Sequence, residues 1–313
     1  MADLISYVIR KLLLAIPVIF LATFIVFLML YMTPGDPILA IAPPHASVDE
    51  LQELREQYGF DQPFLIQYGK FLERLLQGDL GQSVSTGTLN VDVSYLLMQR
   101  LPKTLELMAI GLTISYSLGI PLGILSALNQ NSWKDRSVMV FTLVAYAMPS
   151  FWLGILLLLL LSVQFHILPA EGTVGGLSSV LLPALTLGLG NAALTTRMMR
   201  SSMLEVVRQD FITQLRSRGL PEREVIFRHA LKNAILPVVT VIGLDIGWFV
   251  AGAVIVETVF QWPGIGLLVI NSISSHDFPT VQGCILLLAF FVVIGNLVAD
   301  ILYALVDPRV RLG

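Results

Sequence analysis

Residues 12–32 read LLLAIPVIFLATFIVFLMLYM, twenty-one positions without one charged side chain. At 1.5 Å of rise per residue this run makes a helix of about 31 Å, the hydrocarbon thickness of a bilayer. It exceeds the roughly 7–15 apolar residues of a signal-peptide core, and no small-residue cleavage site follows closely, so it reads as a span. Five further apolar runs are predicted to cross: Leu105–Leu128, Val138–Phe165, Val180–Ala193 extending towards Met199, Ala234–Val256 and Val281–Leu305. Several contain Gly and Pro (Pro17, Pro121, Pro149, Pro183), which membrane helices tolerate when neighbouring helices satisfy the freed backbone groups.

The composition agrees. Charged residues make up 13% of the 313-residue chain and hydrophobic ones 55%, whereas soluble domains run at roughly 25% charged. The chain cannot supply the surface of a soluble globular protein. A net charge of -3 gives no basic excess for nucleic acid. One cysteine, Cys284, excludes an intramolecular disulfide and a cysteine metal cluster. The histidines, His45, His166, His229 and His276, show no ligand spacing, so no metal site is expected.

Basic residues set the expected orientation. Arg10, Lys11, Lys134, Arg136, the eight Lys and Arg between Arg197 and Lys232, and Arg309 and Arg311 all fall on one side of six spans, while the short loops 166–179 and 259–279 hold none. By the positive-inside rule both termini are expected in the cytoplasm. The chain is then expected to comprise the N-terminus and first span (1–32), an external domain (33–102) and a core of five spans (103–313). Within the external domain, apolar spacing at Leu51, Leu54 and Tyr58, then at Phe64, Ile66, Tyr68, Phe71, Leu72 and Leu75, predicts two helices. Gly78–Gly81 reads as a turn.

The cytoplasmic segment 197–233 is too long for a simple connection. Met203, Leu204, Val207, Phe211, Ile212 and Leu215 predict one helix over 201–218. Gly219 supplies the left-handed residue that ends it, and Pro221 suits the first turn of the next. Glu222 and Glu224 favour that helix's dipole, and Val225, Ile226, Ala230 and Leu231 form its apolar stripe. From the residues alone the segment reads as a basic loop beside anionic lipid, as an interfacial helix, or as a docking helix for a cytoplasmic protein. The fixed angle at Gly219–Leu220–Pro221 favours docking.

Gln209–Asp210–Phe211–Ile212, Arg216–Ser217–Arg218–Gly219–Leu220 and Arg228–His229–Ala230–Leu231–Lys232–Asn233 resemble the cytoplasmic loop of ABC-importer permeases of the dipeptide/oligopeptide/nickel group. The resemblance covers almost the whole chain. It includes Thr33–Pro34–Gly35–Asp36–Pro37, Gly78–Asp79–Leu80–Gly81–Gln82–Ser83, Leu101–Pro102–Lys103–Thr104–Leu105, Met148–Pro149–Ser150–Phe151–Trp152, Glu257–Thr258–Val259–Phe260–Gln261–Trp262–Pro263–Gly264, Asp277–Phe278–Pro279 and Asp307–Pro308–Arg309–Val310–Arg311.

This resemblance implies an all-α integral membrane protein with the six-helix type I ABC importer permease fold, in the inner (plasma) membrane of a prokaryote. It implies as partners a second, similar permease, two cytoplasmic ATPases and an external solute-binding protein. ATP and magnesium would belong to the ATPases; no cofactor is expected on this chain, which lacks G-x-x-x-x-G-K-[ST]. The expected ATPase-coupling residues are Asp210, Leu215, Arg216, Arg218, Gly219, Pro221, Glu222, Glu224, Arg228 and His229. Leu215 departs from the family, which has a small residue there. The solute is expected to be a di- or oligopeptide, with nickel chelates or glutathione as alternatives.

Ionisable groups inside spans are functional candidates. Asp245, near mid-depth of span five, would line the path and meet a cation such as a peptide amino terminus, or bond to a neighbouring helix or the partner permease. Glu257 would contact the partner permease or a gate, or be structural. Asp300 reads as structural. Pro149 breaks span three, and Trp262, beside Phe260 and Phe278, would anchor at the interface or close an outer gate. A secondary transporter using Asp245 and Asp300 as a proton relay is the competing class. The absence of H-E-x-x-H and G-x-S-x-G leaves no intramembrane enzyme, and no charged filter ring suggests a channel.

Overall fold

A computed structural model describes residues 2–32, 46–58, 61–83, 91–170 and 176–306. The motifs at 33–37 and 307–311, His45, Arg309 and Arg311 lie outside the described residues. Helix α1 (Ala2–Met32) is followed by α2 (Val48–Tyr58), α3 (Phe64–Leu76) and a two-stranded antiparallel hairpin, β1 (Gln82–Ser83) with β2 (Val91–Asp92). Then come α4 (Val93–Leu128), α5 (Trp133–Ala147), α6 (Ser150–Leu157, prolonged by a π-helical turn Leu158–Gln164) and α7 (Leu177–Val207). The segment after α7 forms α8 (Asp210–Ser217), α9 (Glu222–Glu224), a π-helical stretch Val225–Ala230 and α10 (Leu231–Ala234). The chain ends with α11 (Leu236–Phe260), α12 (Ile265–Ser274) and α13 (Phe278–Val306).

Among the described residues five helices are long and apolar enough to cross a membrane: Ile9–Leu28, Val93–Leu128, Ser178–Val207, Leu236–Phe260 and Phe278–Ile301. The sixth span expected at 138–165 is two helices bent by 109°. The cause is local. Pro149 disfavours the helical conformation in the residue before it; Met148 accordingly sits at φ −81°, ψ 128° and Pro149 at φ −57°, ψ 139°. Two consecutive extended residues turn the chain, and Leu153 N–H to Pro149 O at 3.0 Å restarts the helix.

The chain divides into two units. One holds residues 13–104 and 263–290. Here α2 starts with a reciprocal cap, Ser47 N–H to Glu50 Oε2 at 2.7 Å and Glu50 N–H to Ser47 Oγ at 3.3 Å, which satisfies two otherwise orphaned donors. The apolar stripe of α3 lies against α1: Phe64, Tyr68 and Phe71 meet Phe20, Phe24, Phe27 and Tyr31 with ring centroids 5.0–5.7 Å apart. The Tyr68 hydroxyl donates to Phe20 O at 3.2 Å and shares a 2.9 Å bond with Thr23 Oγ1. A second core joins Val93, Leu97, Ile265, Val269 and Cys284.

The other unit holds residues 1–12, 105–262 and 291–313. Its centre is α7, the most buried of the spanning helices, 67% against 11% for α1. Gly119 and Gly123 let α4 approach it closely: a Cβ at either would lie 2.7 Å from Thr195 Cβ or 2.6 Å from Met199 Cβ. This is the small-residue spacing that brings membrane helices together. Near the chain ends, Lys11 Nζ pairs with Asp300 Oδ2 at 2.8 Å, which gives Asp300 a partner on α1.

Candidate functional site

The periodic run at 201–218 is two helices, not the single one its spacing predicts. Helix α7 ends where Arg208 and Gln209 N–H turn back to Glu205 O and Val206 O. Gln209 is extended (φ −74°, ψ 151°), and α8 starts with Asp210 in its first turn. The apolar positions continue in phase across this break because both helices bury onto the same core, so the pattern carries no sign of it.

Helix α8 ends as expected at Gly219, with φ +78°. Gly219 N–H bonds Arg216 O at 3.0 Å and Leu220 N–H bonds Leu215 O at 3.4 Å, the paired closure that needs a left-handed residue after the helix. Leu215 and Leu220 pack onto a core of Met199, Met203, Val206, Ile212, Val225, Ile226, Ala230, Ala234 and Val238. The departure at Leu215 thus fills an apolar site behind the turn. Pro221 caps the following helix at φ −64°, ψ 140°.

The two helices are braced across the turn. Arg216 donates to Glu222 through Nε at 3.1 Å and Nη2 at 2.7 Å. Glu224 accepts from Arg228 Nη1 at 2.9 Å. The Arg216 fork holds the Glu222 carboxyl below its ordinary value. Asp210, Arg216, Arg218, Gly219, Pro221, Glu222, Arg223 and Arg228 are exposed, His229 is half-buried, and Phe227 is 54% exposed despite its apolar ring. A rigid turn, buried behind and exposed in front, therefore presents one apolar side chain among arginines.

An ion pair absent from the sequence-based candidates stands beneath this region. Arg200 on α7 donates to both oxygens of Asp135 on α5. Ser126 Oγ and Asn131 N–H also donate to that carboxylate. Asp135 lies in a Trp-Lys-Asp-Arg stretch that reads as an ordinary loop, and its partner is 65 residues away; nothing local pointed to it.

Inside the spans, Asp245 on α11 is 5% exposed. The Tyr116 hydroxyl on α4 and Asn191 Nδ2 on α7 both donate to its Oδ2, the latter at 2.7 Å; Asn191 Nδ2 also reaches Ser115 Oγ at 3.1 Å. Glu257, Phe260 and Trp262 are buried at the end of the same helix, where Trp262 N–H closes onto Glu257 O at 2.9 Å. Pro149 stands exposed at the bend, one turn before Gly154, whose missing Cβ admits Phe260 and Thr186, each at 3.2 Å. Among the described residues no group of His, Cys, Asp and Glu could hold a metal.

In the other unit, motifs far apart in sequence meet. Ser83 of the Gly-Asp-Leu-Gly-Gln-Ser stretch donates to Asp277 Oδ2 at 2.5 Å. Thr280 fills the same carboxylate through Oγ1 at 2.8 Å and N–H at 3.3 Å. Thr104 of Leu-Pro-Lys-Thr accepts from Ile265 N–H, behind Trp-Pro-Gly, at 2.8 Å.

Comparison with known proteins covers nearly all of the chain. The family model described as binding-protein-dependent transport system inner membrane component matches residues 119–312, and its N-terminal companion matches residues 4–108. The oligopeptide transport system permease protein AppB of Bacillus subtilis is 38% identical over 316 residues, covering 98% of this chain and 99% of its own. The glutathione transport system permease protein GsiC of Escherichia coli is 36% identical over 308 residues, with the same coverage.

Proposed function

The chain belongs to the binding-protein-dependent transport system inner membrane component family, and on that premise we propose that it is the permease subunit of an ATP-driven importer of di- or oligopeptides. It is a transport component, not an enzyme. With a second permease it forms the path; two cytoplasmic ATPases hydrolyse ATP with magnesium; an external solute-binding protein delivers the peptide. The peptide reading follows the names of relatives, among which glutathione transport also occurs. Glutathione, itself a small peptide, and nickel chelates are the alternatives for the same machinery. Both termini lie in the cytoplasm.

The observation that supports the coupling role is the braced turn at 215–228. An ATPase that closes on nucleotide can move the spans only through a segment that does not bend under load. Gly219, the Arg216–Glu222 fork and the core behind Leu215 and Leu220 make such a segment. Phe227 offers an apolar anchor ringed by Arg223 and Arg228, the residue types that dominate docking energetics. Asp210, Arg218, Pro221, Glu224 and His229 complete the coupling surface. In the path, Asp245 and Glu257 are polar candidates, Pro149 the pivot and Trp262 the gate candidate.

The test substitutes Gly219 in the complete transporter in lipid vesicles. Beyond its chain neighbours nothing lies within 4 Å of a Cβ built there, so the first effect of Gly219→Val is backbone strain of about 1–3 kcal/mol. Peptide transported per ATP hydrolysed is expected to fall at least about fivefold. Gly219→Asn, which tolerates the left-handed region, keeps the wild-type ratio. An unchanged ratio in Gly219→Val removes the coupling role from this turn.

A further inference from the structure

Asp245 is buried, and it differs from the ion-paired carboxylates of this chain and from buried Asp277. Asp135, Glu222, Glu224 and Asp300 each face a Lys or Arg. Asp277 faces neutral donors, but they occupy both of its oxygens. On Asp245 the two donors, Tyr116 and Asn191, are neutral and converge on Oδ2. Among the described residues none donates to Oδ1 and none is a cation. A charged group at this depth is expensive unless it meets a partner, and the helices around it supply only half of one.

The second observation lies one turn along α11. Trp248 is 77% exposed and Leu244 49%. Residues three and four apart share a helix face, so the open side of α11 carries an indole next to the edge where Asp245 sits. A carboxylate with a vacant oxygen beside an aromatic face is the chemistry that holds an ammonium: a charge-assisted hydrogen bond to the oxygen and the ring's negative face for the remaining charge. Tyr116 and Asn191 hold the carboxylate's rotamer before any ligand arrives.

We propose that Asp245 and Trp248 form a binding site for the free α-ammonium group of a peptide in transit, with Tyr116 and Asn191 as positioning residues. This rests on the reading of the chain as a peptide permease. It adds a selectivity step within the membrane-spanning part, separate from capture outside. A peptide blocked at its amino terminus presents a neutral amide there, which leaves the carboxylate unmatched.

The experiment uses the complete transporter in nanodiscs of phosphatidylethanolamine and phosphatidylglycerol, without binding protein. Trialanine and N-acetyl-trialanine are titrated against tryptophan fluorescence. Trialanine is expected to perturb the emission, and the acetylated peptide to bind about ten- to a hundredfold more weakly, the loss of one charge-assisted hydrogen bond. Trp248→Phe removes the signal. Asp245→Asn, followed by the displacement of radiolabelled trialanine, brings both peptides to the same weak affinity.

Equal binding of the two peptides by wild type overturns the site, as does undiminished trialanine binding by Asp245→Asn. So does the absence of any response up to about 10 mM, beyond which affinity has no consequence. The wild-type comparison stands even if Asp245→Asn fails to assemble. Stimulation of ATP hydrolysis by peptide-loaded binding protein is measured on the same preparation. If it persists while the two peptides bind alike, the importer reading holds and the ammonium site alone is lost.

Discussion

Arg200 grips Asp135 with two parallel hydrogen bonds, Nε to Oδ1 and Nη2 to Oδ2, each 2.8 Å long. The carboxylate is 3% exposed and takes two further donors, Ser126 Oγ and Asn131 N–H. It fastens the first turn of α5 to α7 between Met199 and Met203, which belong to the core behind the coupling turn.

Removing Asp135 leaves a half-buried guanidinium without its partner, and removing Arg200 leaves a buried carboxylate without its cation. Asp135→Ala is therefore expected to lower unfolding free energy by about 3–5 kcal/mol, and Arg200→Lys, which loses the fork, by less. The double variant Asp135→Ala/Arg200→Ala should fall short of the sum of the singles by more than about 1 kcal/mol. Thermal unfolding in detergent measures wild type, Asp135→Ala, Arg200→Ala, Arg200→Lys and the double variant. Additive losses would show that the two residues act independently.

Gly243 is where α11 and α13 touch. A Cβ there would stand 2.2 Å from Ala299 Cα and 2.3 Å from its backbone nitrogen. Backbone atoms cannot swing aside, so Gly243→Ala must push the helices apart, at about 1–3 kcal/mol or more. Gly247, whose Cβ would meet only Val292 Cγ1 at 3.7 Å, is the control on the same helix. A melting temperature for Gly243→Ala equal to that of Gly247→Ala would contradict the close approach.

The Arg216–Glu222 brace gives a pH signature. Hydrogen bonding from Arg216 lowers the Glu222 pKa, so the folded form holds the carboxylate more firmly than the unfolded chain does. Its stabilisation is fully present above the unfolded glutamate pKa and fades as pH falls through the lowered folded value. Side-chain exposures of 39% and 60% keep the gain below about 1 kcal/mol. Melting curves of wild type and Glu222→Gln should differ slightly at pH 7 and low salt, and converge as pH falls below about 4. A gap that widens in acid would reverse the assignment.

What the sequence made legible was whatever acts over one or two turns. Uncharged runs of twenty residues announce spans by length alone. Gly219 announces a left-handed residue because few others adopt one. Pro149 announced a break, but the 109° bend depends on two residues going extended in succession, which no single proline dictates. The break at Gln209 was invisible because the apolar phase survives it. The partners of Asp245 lie 129 and 54 residues away, and those of Ser83 lie 194 away. Gly119 and Gly123 carried a readable spacing for close packing, which identifies α4 as the partner of another helix without saying which.

The ladder of rings between α1 and α3 has a practical corollary. Tyr68 supplies a hydrogen bond to Phe20 O from outside the first span's own helix, and three aromatic side chains of α3 rest on four of α1. The first span and α3 therefore behave as one heritable block. Chimaeras between relatives that cross over at Met32 would set one parent's rings against the other's knobs. A junction beyond Leu76 exchanges the pair whole, and the natural place to splice lies past the segment that looks, from charge alone, like a separate module.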